Sequence, residues 1–528
     1  MTKDLDRPMS FHRSELRGHV IAGLLLTVTV FGTYSVCLTS MVAHIDDYWL
    51  LWEPGPSLEV WNAAGRWANG LFFRAAWYGV DSIGELWRPR LAALVGIVVF
   101  VIGLYASLRR MAYSWLFSVA VAALAALLPT FNVYAVWATC AGHVYACLAA
   151  MLAFWLSEAS SRRGEIWQSA LLGHAAACVL YVAFSIYQPA AMFYATLLLI
   201  ALAAKESGTW SQQQWLRLAN HATVLTAAMA ASFLTFKLVA REVQEIDIPG
   251  RGEITTDYIT KLGRFVLQPV GQSCLPYFFV THWTKWGMLP QIFPVEVVIL
   301  GILVPLGLWF RLPGSRTERI IRILALYALV PVTYVPNLFV ASDYFPLRTR
   351  PAISAAILFL MLLAASGYLR RWFADMQLRQ RIAGAGLAVV FGIAFALARY
   401  HLDEYFFVPS RIEWNVVCAE VKRTVETGPA DPERVVFVMP DSDKPVAPRF
   451  IYSEFGYLSA SCDWATEGMT AMAVQDVAPD KLTAFRNAKF VNIPRDKAPP
   501  PREPAGWLID ARKLNAIGDQ RRSGVQQK

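Results

Sequence analysis

Long apolar runs separated by short polar breaks fill the chain up to about residue 400. A helix needs about 20 mostly apolar residues to cross a bilayer, and about eleven stretches qualify. They fall at roughly 19–41, 91–108, 112–129, 138–157, 166–187, 189–204, 220–240, 293–311, 319–341, 350–369 and 382–400. The fourth is irregular at its start and 189–204 is short. Within the first long polar segment, 42–90, apolar residues recur at Trp61, Ala64, Trp67, Ala68, Leu71, Phe72 and Ala75, with Arg66, Asn69 and Arg74 between them. That spacing predicts a helix, either lying in the interface or packed as a loop helix.

From residue 401 the pattern changes. "RIEWNVVCAEVKRTVETG" reads as an amphipathic helix ending at Gly428, and "RVVFVMP" (434–440), "RFIYSEFGYL" (449–458) and "KFVNIP" (489–494) read as short strands. "DKAPPPREPAG" is proline-rich and expected to be extended, and the final "GDQRRSGVQQK" is expected to be disordered. The predicted fold is therefore mainly α: a polytopic membrane domain over 19–400, preceded by a polar segment 1–18 and followed by a small α/β domain over 401–528.

Composition supports this division. Hydrophobic residues make up 56% of the 528 and charged residues 16%, against roughly 45–50% and 25% in soluble domains. Mean hydropathy is +0.39. The net charge of +9 sits in short clusters between apolar runs, the pattern of membrane topology and not of a nucleic-acid surface. Lys3, Arg7, Arg13 and Arg17 precede the first run. Arg109–Arg110, Arg162–Arg163, Lys205 with Arg217, Arg311 to Arg322, and Arg370 to Arg381 mark every second loop after it. Those loops are expected in the cytoplasm, which places the N-terminus inside and the C-terminus outside. The first run lacks a cleavage site and is expected to be retained.

The outer loops are the long ones, so chemistry is expected there. "HIDDYW" puts Asp46 and Asp47 directly after the first run. A lone acidic pair is most simply a solvated helix end. Here Trp49, Trp52, Trp61, Trp67 and Arg66 follow closely, and acid, arginine and aromatic rings together suit a sugar phosphate. Arg348 and Arg350 in "PLRTR" stand on the outer side, against the charge pattern, where an anionic lipid phosphate would explain them. Tyr187–Gln188–Pro189 breaks an apolar hairpin; the proline explains the turn, and the glutamine could bind a sugar hydroxyl. His282 and Lys285, between Trp283 and Trp286, are most simply interfacial anchors, in a broken apolar segment that reads as re-entrant. There is no P-loop or dinucleotide fingerprint, and no string of intramembrane charges suggests an ion pump. Seven cysteines lack metal spacing. Whether Cys418 and Cys462 pair is open.

"HIDDYW" followed by "VWNAAGRWANGLFF" resembles the Gtr-type glycosyltransferases, the second Gtr family of O-antigen glucosyltransferases, which are integral membrane enzymes of the GT-C class. "SIYQPA" is similar to that family's Tyr-Gln corner, and "YFPLRTRPA" fits its layout. The resemblance implies transfer of a hexose, commonly glucose, from a polyprenyl-phosphate donor to a cell-surface glycan such as O-antigen, at the outer face of the bacterial inner membrane. It implies Asp46 and Asp47 as the acidic pair, one of them the general base, with His44 and Arg66 as helpers. Membrane lipids, a donor synthase and a flippase are the implied partners, without nucleic acid. A divalent cation, Mg or Mn, between the aspartates is left open. A flippase of lipid-linked sugars, or an O-antigen ligase or polymerase, is the alternative.

Overall fold

The computed structural model describes residues 13–53, 60–62, 64–163, 165–204, 212–242, 253–277, 294–341, 345–442, 444, 446–447, 454–494, 496–497 and 506–526. The chain is mainly helical. Eight helices among the described residues are long and apolar enough to cross a membrane, or nine if one bent pair counts as a span. The elements used below are α1 (Arg13–Tyr34), α2 (Asp46–Trp52), α3 (Trp67–Ala76), α4 (Trp87–Arg110), α5 (His143–Ser160), α6 (Ile166–Ala191), α7 (Phe193–Ala203), α8 (Gln212–Glu242), α9 (Arg316–Val332), α10 (Pro351–Trp372), α11 (Val408–Thr427), α12 (Asp463–Val477) and α13 (Lys513–Gln526).

Every one of the apolar runs forms helix, but three do not make a straight span. The run at 112–129 bends by 54° between Trp115–Ala126 and Pro129–Val136, where a proline cannot donate the hydrogen bond that would continue the first helix. The run at 189–204 becomes α7, whose 11 residues are all buried. At 1.5 Å per residue α7 rises about 16 Å, roughly half of a hydrocarbon core. It is a core helix, packed against α5, α9 and α10. The run at 319–341 is divided into α9, of 17 residues, and a short helix Val335–Phe339.

The broken segment near 258–277 is helical from Tyr258 to Cys274. Its end lies inside the bundle, where Tyr277 donates to the Leu124 carbonyl at 2.6 Å. The helix expected over 60–77 is interrupted at Gly65, which has φ +69. In α3 the buried positions are Asn69, Gly70 and Phe73, while Leu71 and Ala75 are exposed. The face turned inward is thus rotated from the one the apolar spacing predicts, because α3 packs on α6 through Trp67, whose indole donates to Tyr181 at 3.1 Å.

Beyond residue 401 a three-stranded parallel sheet has the order β2-β1-β3, formed by β1 (Arg434–Val438), β2 (Lys489–Ile493) and β3 (Gly506–Asp510). Two of these match predicted strands. The segment 454–458 forms turns with a single bridge residue, and 449–453 lies outside the described residues. β3 replaces it as the third strand. Helices α11 and α12 pack together, and α11 also covers β3. The end of the chain, expected to be disordered, forms α13. Cys418 and Cys462 are separate thiols.

Candidate functional site

The acidic pair begins α2, and the turn before it is strained. Ile45 has φ 35 and ψ −96, a left-handed conformation that costs a β-branched residue of order 1–3 kcal/mol. Its amide donates to Ser459 Oγ at 3.0 Å. The approach to this turn is held by Arg90, only 1% exposed. Its guanidinium donates to the carbonyls of Cys37, Ser40, Val42 and Val136, tying the end of the first helical run to the turn before Trp137.

Asp47 is fully buried and its two oxygens accept from four donors. Oδ1 accepts from the Thr139 amide at 2.9 Å and the Thr139 hydroxyl at 2.7 Å. Oδ2 accepts from His44 N at 3.2 Å and Ala138 N at 3.4 Å. Burial raises its carboxyl to about 6, with nearby Arg90 the main opposing influence. Asp47 therefore clamps α2 to the 3₁₀ turn Ala138–Cys140.

Asp46 points elsewhere. It is partly exposed, and its Oδ1 accepts the indole N–H of Trp464 at 2.9 Å. Trp464 belongs to α12, which crosses α2 so closely that a Cβ on Gly468 would come within 2.2 Å of the Tyr48 carbonyl oxygen. Only glycine permits this crossing.

Trp137 lies between His44 and Arg348. The His44 ring meets it edge-on at 5.1 Å, and the Arg348 guanidinium lies over it at 4.9 Å. Arg348 pairs with Glu454 at 3.1 Å, and Glu454 also accepts the Leu347 amide at 2.8 Å. His44 itself is 1% exposed. Burial and the charge of Arg90 lower its imidazole to about 3, so it is neutral at physiological pH.

Arg348 lines a cavity of about 710 Å³ with Arg66, Tyr187, Gln188 and Glu253. Arg66 lies 4.8 Å over the Tyr187 ring and donates to Gln188 Oε1 at 3.3 Å. Tyr187, at a non-helical kink in α6, is stacked on His143 at 3.7 Å. The charges of both Arg66 and Arg348 are felt at Tyr187. The remaining walls are largely apolar, with Leu225, Met229 and Phe233 from α8 facing Val332, Val335 and Phe339. Phe233 and Phe339 stay about half exposed, so apolar surface runs from the cavity to the outside of the bundle. A bridge between Ile254 and Val340 closes one side.

Sequence reasoning thus named residues that the fold divides into groups. Arg66, Tyr187, Gln188 and Arg348 share the cavity. Asp46, Asp47 and His44 are not in its wall. Arg350 is 3% exposed and serves the framework, donating to Gln272 and to the Phe345 carbonyl. His282 and Lys285 lie outside the described residues. The aspartates do not make a cation site: four N–H and O–H donors fill the lone-pair positions of Asp47, and no group of three His, Cys, Asp or Glu side chains converges among the described residues.

Several participants were missed by sequence reasoning. Arg90 closes the polar segment 42–90 and opens an apolar run, and an arginine at that position is itself a signal. Thr139, Trp137, Glu454 and Trp464 carried none. Also missed was a buried charged cluster at the other end of α5. There Glu158 accepts from Arg217 at 2.7 Å, His221 at 2.9 Å and Arg162 at 3.2 Å, and Tyr194 meets His221 at 2.7 Å. No known protein family matches the chain, and no curated protein is similar to it in sequence.

Proposed function

We propose that the protein is a membrane glycosyltransferase that moves a hexose from a polyprenyl-phosphate donor to a glycan acceptor. The observation that carries this reading is the cavity: apolar walls open to the side of the bundle, with two arginines, a tyrosine and a glutamine gathered in it. Apolar walls suit a prenyl chain. Guanidinium groups suit a phosphate, and Gln188 and Tyr187 suit sugar hydroxyls. In this reading the Asp46 end faces the outside of a bacterial inner membrane, as the loop charges suggest, and the sheet beyond residue 401 is periplasmic.

The division of labour between the aspartates follows from their surroundings. Asp47 is enclosed and holds the turn. Asp46 is accessible and is the general base. The acceptor hydroxyl oxygen attacks the anomeric carbon as the carbon–phosphate oxygen bond breaks. The hydroxyl proton passes to Asp46, and the bonding pair leaves with the polyprenyl phosphate, whose charge Arg348 and Arg66 stabilise. Direct displacement inverts the anomeric centre. No step requires a metal.

The test is to incubate purified protein with a panel of polyprenyl-phosphate hexoses and delipidated O-polysaccharide, and to analyse lipid and glycan by mass spectrometry. Transfer that fails in Asp46→Asn supports the reading. Transfer by no donor in the panel, or full activity in Asp46→Asn, overturns it.

A further inference from the structure

Among the described residues beyond 401, Trp464 is the one large apolar side chain that is exposed, at 55%. Trp507 in the same region shows the ordinary alternative: it is 1% exposed and its indole donates to the Pro429 carbonyl at 3.0 Å. Trp464 instead uses its N–H on Asp46 and leaves its ring in solvent. An indole with its polar edge engaged and its face bare is well built for a ligand with an apolar face and a polar rim.

The ring is also rigidly carried. At the start of α12, Asn492 donates to the Asp463 carbonyl at 2.8 Å and accepts from Thr466 Oγ1 at 2.7 Å. Four residues beyond Trp464, Gly468 seats α12 against the backbone of α2. Trp52 of α2 lies beside Glu467 of α12. Trp52 is partly buried, packed against Phe485 and Arg486, whereas Trp464 is open.

We propose that Trp464 is the acceptor platform of this site. Its indole N–H orients Asp46, and its exposed face stacks on the acceptor sugar whose hydroxyl Asp46 deprotonates. This rests on the transferase reading above. It assigns acceptor binding to the region beyond residue 401 and donor binding to the cavity. A pyranose fits the platform because its axial C–H groups present an apolar face while its hydroxyls stay at the rim, within reach of Asp46.

The experiment compares Trp464→Phe and Trp464→Ala with wild type in proteoliposomes, using polyprenyl-phosphate hexose as donor and delipidated O-polysaccharide as acceptor. Phenylalanine keeps a ring and loses the N–H. It is expected to lower kcat about tenfold through a misoriented base while the acceptor KM stays within about twofold. Alanine loses both and is expected to raise the acceptor KM about five- to tenfold as well, with the donor KM unchanged. An unchanged kcat in Trp464→Phe overturns the orienting role. An unchanged acceptor KM in Trp464→Ala overturns the platform and leaves the ring as a membrane anchor. If wild type transfers no sugar, the transferase reading has failed on its own. The platform is then judged by saturation-transfer NMR with the same polysaccharide: binding that Trp464→Ala abolishes retains it, and equal or absent binding sinks it.

Discussion

The two ends of α5 carry polar clusters with opposite character. At the far end every group of the Glu158 cluster is matched: both carboxylate oxygens, both nitrogens of His221 and the amide of Asn220, which donates to Ser157 and Ser161. At the near end, about 22 Å away by helix rise, the nitrogens of His143, the amide of Asn69 and the indole N–H of Trp137 are buried with no hydrogen-bond partner among the described residues. A buried polar group without a partner costs about 1–3 kcal/mol. The matched cluster fastens α5 to α8. The unmatched one adjoins the cavity, with His143 stacked on Tyr187 of its wall.

The largest expected effect lies at the near end. Asp46→Asn should reduce transfer by about 10²–10⁴-fold with an unchanged melting temperature, whereas Glu253→Gln, which alters the carboxylate in the cavity wall, should leave the rate within a few-fold. A reversed result, read from the same transfer assay, would move the base into the cavity. At the far end, Glu158→Ala should cost about 3–4 kcal/mol of stability, because Arg217 and His221 lose their partner. Thermal unfolding in detergent checks this, and activity per folded molecule should persist. If activity falls instead, the fastening role is wrong.

Stability should also depend on pH through Asp47. Its folded value of about 6 lies above the unfolded value of about 3.9, so between them the folded state binds the extra proton. The stabilising contribution is complete below about pH 4 and lost as the pH rises through 6, by at most about 3 kcal/mol. Asp47→Asn should flatten that slope in melting curves. Next in size, Arg348→Ala should lower kcat/KM for the donor about 10- to 100-fold through lost charge-assisted hydrogen bonds. Arg350→Ala should act mainly on stability, since its partners are Gln272 and Phe345. The smallest effect is expected for His143→Phe, which keeps the stack on Tyr187 and removes two unmatched nitrogens. Stability should hold or rise slightly while transfer falls a few-fold.

These contrasts explain what the sequence could disclose. The apolar runs were legible because a bilayer demands length and little else. Hydropathy does not separate a span from a helix buried in protein, so Phe193–Ala203 looked like one more crossing. "RVVFVMP" and "KFVNIP" were legible as strands from β-branched content, while "GWLID" was hidden behind a proline run. The acidic pair itself was conspicuous, but nothing local distinguishes Asp46 from Asp47. Their difference comes from Thr139, separated by 92 residues, and Trp464, separated by 418. The same holds for Arg348 and Arg350, which are two residues apart and differ only in which neighbours the fold brings to each.

The Gly468 crossing sets an order of events during synthesis. The helix that carries Asp46 emerges early, but its backbone neighbour is made more than 400 residues later, the Asp46–Trp464 contact spanning 418. At 5–20 residues per second the wait is roughly 20–80 s. Until α12 has been made, α2 is held only from the side of Ala138 and Thr139, through Asp47, and Asp46 lacks its indole partner. The crossing therefore acts as a completion check: a chain truncated before α12 leaves the Asp46 carboxylate without the indole that directs it.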